Sequence, residues 1–278
     1  MKLVEFIKRE ILDTETGEVF NSVGKDRTQM RLYNAPWIIV LMAEIYNLTN
    51  EEEYVEILYR VAKHYYSLGG EKFYPNGIHV KDIIEAVNKS GKKHYVKELI
   101  TMFERHTQNM IDTGLNYPPH EVDFEQTIVT PAVAFMCEMG LVSGDEKYLN
   151  SVKNHIKVLD RFNGYQPDYH MNGIPIRYWD DFWFGKSTLY ADVYPHYWSC
   201  LTASSWHVFG LLSQNEEYIK KAENCIRNCL CLFHEDGSAS NSYVYPFSVD
   251  GNKGEFYDDW ANDQDFALYF AMQILLEN

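Results

Sequence analysis

The sequence has no apolar run approaching the roughly 18 residues that a membrane-spanning helix needs, so it predicts no membrane partner. It is short of positive charge: 25 Lys and Arg stand against 40 Asp and Glu, a formal net charge of −15. Phosphate backbones are repelled by such a chain, which argues against a nucleic-acid partner. Long polyanionic substrates are also disfavoured unless a local cationic patch overrides the global sign. No HExxH, CxxC pair, calcium-loop pattern, glycine-rich phosphate loop or Gly-x-Ser-x-Gly elbow is present, so spacing argues for no metal and no cofactor. The cysteines are few and odd in number: Cys137, Cys200, Cys225, Cys229 and Cys231. In a chain of 278 residues that argues against a disulfide framework. Cys225 and Cys229, four apart, have a spacing that supports a metal, but buried thiols acting as small hydrophobes are the preferred reading. The opening MKLVEFIKREILD carries charges throughout and is no signal peptide, so the chain reads as cytoplasmic.

What the sequence has is aromatic residues, 15% of the chain and mostly its 21 Tyr. They concentrate in one window, Tyr165 to Trp198, with eleven rings, two His, one Arg and four Asp and no amphipathic period. The window reads as a long loop, and an ordered loop of that length is usually functional. Ring faces beside carboxylates, imidazole and guanidinium suit a sugar-binding groove: rings stack on pyranose faces and polar groups take the hydroxyls. The structural alternative is a loop that packs its own rings.

The rest of the chain repeats weakly. Four times an apolar helix ends in a polar turn, and a second helix begins with charges and a Tyr, at Tyr54, Tyr95, Tyr148 and Tyr218. Each unit reads as an αα-hairpin. The first pairs Pro36–Tyr46 with a helix from Glu51 to about Ser67, capped by Asn50. The second pairs Lys81–Val87 with Lys92–Asp112, the third Thr130–Leu141 with Asp145–Phe162, and the fourth Leu201–Leu212 with Asn215–Phe233. A last helix runs from Asp263 to Leu276, and Phe6–Ile11 is half of an earlier pair. First helices are apolar all round and second helices amphipathic, which predicts inner helices enclosed by outer ones. The fold class is therefore an all-α toroid of helical hairpins, one domain over residues 1–278. The aromatic loops follow the second helices and would meet at one end. The last of them, FHEDGSASNSYVYPFSVDGNKGEF, predicts a small β-hairpin from its Asp-Gly turns and alternating Tyr243, Tyr245 and Phe247.

The hairpin repeat, the aromatic loops and the GEFYDDWANDQDFALYF segment together resemble the six-hairpin glycosidase superfamily. That resemblance implies an (α/α) toroid, and a glycoside hydrolase or polysaccharide lyase acting at one mouth of it. The count here is about four and a half hairpins rather than six. Either the first segment pairs differently or the chain is the C-terminal portion of a longer barrel. An incomplete ring would expose inner helices and invite an additional domain or a homo-oligomeric partner.

Two chemistries compete for an oligosaccharide or polysaccharide substrate. Hydrolysis needs two carboxylates, one to protonate the leaving oxygen and one on the other face of the sugar. Asp180, Asp181 and Glu121 are the candidates; rings beside an acid would raise its pKa toward the useful range. Elimination on a uronic acid needs a base for the proton next to the carboxylate and a cation for the enediolate. Tyr169, His170 and His196 are candidate bases, with His120 able to join them and Arg177 to hold the carboxylate bidentately. Trp179, Trp183, Tyr194 and Trp198 are candidate sugar platforms in either case. Hydrolysis leads because carboxylates are plentiful and the charge disfavours polyanions; elimination is the runner-up. A helical scaffold that binds glycans without catalysis would carry the same rings.

Overall fold

The computed structural model describes residues 2–28, 31–74, 77–118, 126–161, 192–196, 199–240, 242–245, 248–249, 252–253, 256–257 and 265–276; for 126–128, 192–196 and 242–257 it describes the backbone only. The fold class is all-α, of the helical-hairpin (α/α) type expected from the sequence, with two small sheets. The helices are α1 (Lys2–Glu10), α2 (Asn34–Thr49), α3 (Glu52–Ser67), α4 (Val80–Lys89), α5 (Lys93–Thr113), α6 (Gln126–Ser143), α7 (Glu146–Asp160), α8 (Ser199–Ser213), α9 (Glu216–Cys229) and α10 (Asp265–Leu276). The strands are β1 (Asp192–His196), β2 (Ser242–Tyr245), β3 (Ser248–Val249), β4 (Asn252–Lys253) and β5 (Phe256–Tyr257).

The chain forms two compact units. The first comprises Met1–Gly114 and Glu138–Asp145, the second Leu115–Cys137 and Glu146–Asn278, so α6 contributes to both. In the first unit α2 packs on α3 and α4, and α4 on α5. The apolar sequence of α2 buries Ile39, Met42 and Ala43 completely, whereas the amphipathic α3 buries one face through Tyr54, Val55, Leu58, Val61 and Ala62. The turn after α1 docks tightly on α3. Gly17 adopts φ +78°, and a Cβ there would lie 2.3 Å from the Arg60 carbonyl carbon, so only glycine fits. In the second unit α8 packs on α9, and α10 lies against both. Gly210 allows the close approach, since its Cβ would meet Ile219 Cγ1 at 2.7 Å.

One helix end corrects a sequence expectation. Asn50 does not cap α3. It adopts φ 56°, ψ 23° at the C-terminus of α2, its N–H donating to the Tyr46 carbonyl, and Glu51 takes the N-cap position without a side-chain bond. A two-residue turn needs a left-handed residue, and Asn tolerates that conformation better than most. Asn215 does cap α9, its side chain accepting the Glu217 N–H at 2.9 Å. Asn215→Ala should therefore lower stability by about 1 kcal/mol, read as a shift in urea midpoint with unchanged slope.

The sheets correct one more. The segment 192–196, expected within a loop, is strand β1. Tyr243 and Tyr245 lie in β2, which pairs antiparallel with β5 in the expected segment, outside the shorter β3–β4 hairpin, and takes β1 on its other side in the order β1-β2-β5. Period-two alternation signals a strand but does not name its partner.

Candidate functional site

Most of the residues singled out from the sequence lie outside the described residues: His120, Glu121, Tyr169, His170, Arg177, Trp179, Asp180, Asp181, Trp183 and Trp198. Tyr194 and His196 fall within β1. That strand pairs antiparallel with β2, placing Asp192 opposite Tyr245, Val193 opposite Val244 and His196 opposite Ser242. β2 in turn places Ser242 opposite Tyr257 and Tyr243 opposite Phe256. Register breaks between Val193 and His196, where Pro195 offers no N–H to the ladder; β1 is an edge strand, as a proline requires. Opposed Cα atoms in such a pair stand about 4.5–5.5 Å apart. Residues 192–196, 242–245 and 256–257 are thus hydrogen-bonded neighbours, carrying Asp192, Tyr194, His196, Tyr243, Tyr245 and Tyr257 into one small sheet. β1 lies against α8 and α9.

The same unit holds a pairing that the sequence reading passed over. Tyr117, which opens the YPPHEVDFEQ segment, hydrogen-bonds through its hydroxyl to His155 Nδ1 at 2.7 Å, with the rings edge-to-face. Tyr117 is half-buried and His155 buried on the apolar face of α7, beside Val152, Ile156 and Leu159. Burial holds the His155 imidazole down to about 4, so it is neutral near pH 7. A neutral imidazole beside a phenol is an acceptor for the phenolic proton. The signal was present in the sequence: His155 interrupts an otherwise apolar helical stripe.

The first unit holds a second group of buried titratable side chains. Glu138, the one acid in the apolar stretch VAFMCEMGL of α6, is 4% exposed. Its Oε2 accepts the Lys81 N–H at 3.2 Å, and its Oε1 lies 3.7 Å from His79 Nδ1. The carboxyl thus caps the N-terminus of α4 from another helix. Burial, with the nearby Asp82 charge, pushes it up to about 8, whereas burial holds His79 down to about 4. The pair is a neutral acid beside a neutral imidazole, not an ion pair. A similar buried contact joins Tyr66 Oη and His106 Nδ1 at 3.1 Å, with His106 held down to about 3 by burial and by Arg105.

None of the five cysteines forms a disulfide. Burial raises Cys200 and Cys231, and the contact with Cys225, then burial, raises Cys229. Cys225 donates to the Ser199 carbonyl. Among the described residues no group of three or more His, Cys, Asp or Glu is placed to hold a metal ion, and no helix is long and apolar enough to cross a membrane.

No family model matches the chain. No curated protein matches it either. Among solved structures, Polysaccharide Lyase BACCELL_00875 is similar over 99% of this chain, at 38% identity and a TM-score of 0.89. The chain spans 41% of that protein's length. The Lin0763 protein from Listeria innocua matches over 99% of this chain and 76% of its own, at 11% identity and a TM-score of 0.57. A sugar epimerase from a ruminal bacterium matches over 100% and 86%, at 14% identity and a TM-score of 0.54. The last two, at such low identity, share the fold alone.

Proposed function

We propose that this chain is a carbohydrate-active unit of the polysaccharide-lyase kind, cleaving a uronic-acid-containing glycan by β-elimination. The likeness to a lyase, at 38% identity across 99% of the chain, carries the reading and favours elimination over the hydrolysis that the carboxylate count put first. In the reaction a base takes the proton from the carbon next to the uronate carboxylate. The bond to the glycosidic oxygen breaks, a carbon–carbon double bond forms, and the departing oxygen takes up a proton. The Tyr117–His155 pair supports this chemistry because it places a phenol in contact with a neutral imidazole. Tyr169, His170, His196 and His120 remain alternative bases, Arg177 the partner of the substrate carboxylate, and Trp179, Trp183, Tyr194 and Trp198 the sugar platforms. A cation such as Arg177 at the carboxylate would offset the unfavourable net charge of −15 locally.

The deciding experiment incubates the chain with neutral and uronic-acid polysaccharides and follows ultraviolet absorbance and new reducing ends together. Elimination should give both, on uronic-acid substrates only. Reducing ends without absorbance would mean hydrolysis, returning Asp180, Asp181 and Glu121 to the centre. Silence in both channels with retained glycan binding would leave a binding module.

A further inference from the structure

Four buried polar groups of the second unit have no hydrogen-bond partner among the described residues: Thr130 Oγ1, Ser199 Oγ, Thr202 Oγ1 and Trp206 Nε1. Thr130 is 5% exposed and the other three residues are fully enclosed. Buried hydroxyl and N–H groups are nearly always satisfied, because leaving one unpaired forfeits its hydration with nothing in return. Four together need one explanation.

Helical spacing and one hydrogen bond gather them along one seam. Ser199, Thr202 and Trp206 follow one another at i, i+3 and i+7 along α8, the spacing that puts side chains on one face with neighbouring Cβ atoms about 5–6 Å apart. Ser205, one turn from Thr202 and also buried, donates its hydroxyl to the Thr130 carbonyl at 3.0 Å, which brings Thr130 of α6 to the same place. The next residue, Pro131, lies inside α6 and has no N–H, so the carbonyl of residue 127 loses its helical donor there as well. Lys221 stands over the Trp206 ring face at 4.0 Å and is itself paired with Asp160, leaving the edge of the indole to the seam.

We propose that this seam between α6 and α8 is a binding site for internal water, about two molecules at the usual three or so bonds each. The donor and acceptor inventory selects the ligand. The indole N–H only donates, so the ligand must accept; the carbonyl of residue 127 only accepts, so the ligand must donate. A halide fails the second condition and an ammonium ion the first. Enclosure of all four side chains excludes anything the size of a sugar. A proline-interrupted turn is also a place where water inserts into a helix. This inference rests on no reading of the activity.

The test compares Thr202→Val, Thr130→Val and Ser205→Ala by thermal unfolding, beside a high-resolution crystal structure of the unaltered chain. If water satisfies the seam, Thr202→Val and Thr130→Val each strip it of a partner and lower Tm by about 2–4 °C. If the seam is dry, each removes an unpaired hydroxyl, and Tm stays or rises, which overturns the proposal. Ser205→Ala loses a bond made within the protein and sets the scale of a lost hydroxyl. In the crystal, discrete density within bonding distance of two or more of the four groups supports the proposal. A dry seam, or anomalous scattering there after a bromide soak, overturns it whatever the melting data show.

Discussion

Glu138→Gln should gain about 2 kcal/mol of stability on the unaltered protein as pH rises from 6.5 to 8. Glu138 is held protonated in the fold up to about pH 8, whereas the unfolded chain releases that proton near its ordinary value of 4.5. Across that window the folded state binds one proton more, so stability falls as pH rises and levels off above 8. From pH 6.5 to 8 this one group's loss is about 2 kcal/mol, a change of roughly 5 °C in the Tm difference between the two proteins. The buried imidazoles act in the opposite sense. His79, His106 and His155 stay neutral in the fold down to about 4, 3 and 4, while the unfolded chain protonates them from about 6.5. Their contribution is complete about a unit above pH 6.5, so it still grows at the start of the window and offsets part of the Glu138 loss, and it is lost as pH falls toward 4. Three such groups outweigh one glutamate on the acid side, which puts the stability maximum near pH 6.5. Glutamine keeps the oxygen that accepts the Lys81 N–H and cannot ionise. Asp82, also raised by burial, leaves a small residual slope. A Tm difference between wild type and E138Q that stays constant from pH 6.5 to 8 would remove the account.

Tyr117→Phe should cost about 10²–10⁴-fold in turnover on a uronic-acid glycan, the range that general-base catalysis supplies, with Tm changed by only a few degrees. The substitution keeps the ring that packs edge-to-face on His155 and deletes only the hydroxyl held at 2.7 Å. His155→Gln should lower the rate as well, because the ring that positions the Tyr117 hydroxyl is replaced. A merely structural role would lower Tm in both variants in step with activity. Full activity in Y117F would pass the base role to Tyr169, His170 or His196.

The helices were legible because their periodicity is a local property. Pro36, the charged first turns of the outer helices and Asn215 each mark a boundary within a few residues of where it falls. Asn50 misled because one residue type favours both a helix start and a left-handed stop, and only the short connection between α2 and α3 decides between them. The pairing of β1 with β2 was illegible for a different reason: alternation in SYVY says strand, but the partner lies 46 or more residues upstream. Of the site, the sequence named ionisable residues in loops and overlooked those in helices. Glu138 and His155 were visible as polar interruptions of apolar stripes, and their environments push the two pKa values in opposite directions, a sign of functional or stability-linked titration.

The β1–β2 pairing also sets an order of assembly. Asp192 meets Tyr245 only when the chain between them has doubled back, and what doubles it back is the α8–α9 hairpin. That hairpin is a local structure that forms fast, while a ladder joining such distant residues must first meet the entropy of closing the loop. The helices therefore template the sheet. Amides of β2 should exchange with solvent at lower protection than those of α8, because the sheet can open while the hairpin stays closed, whereas loss of the hairpin takes the sheet with it.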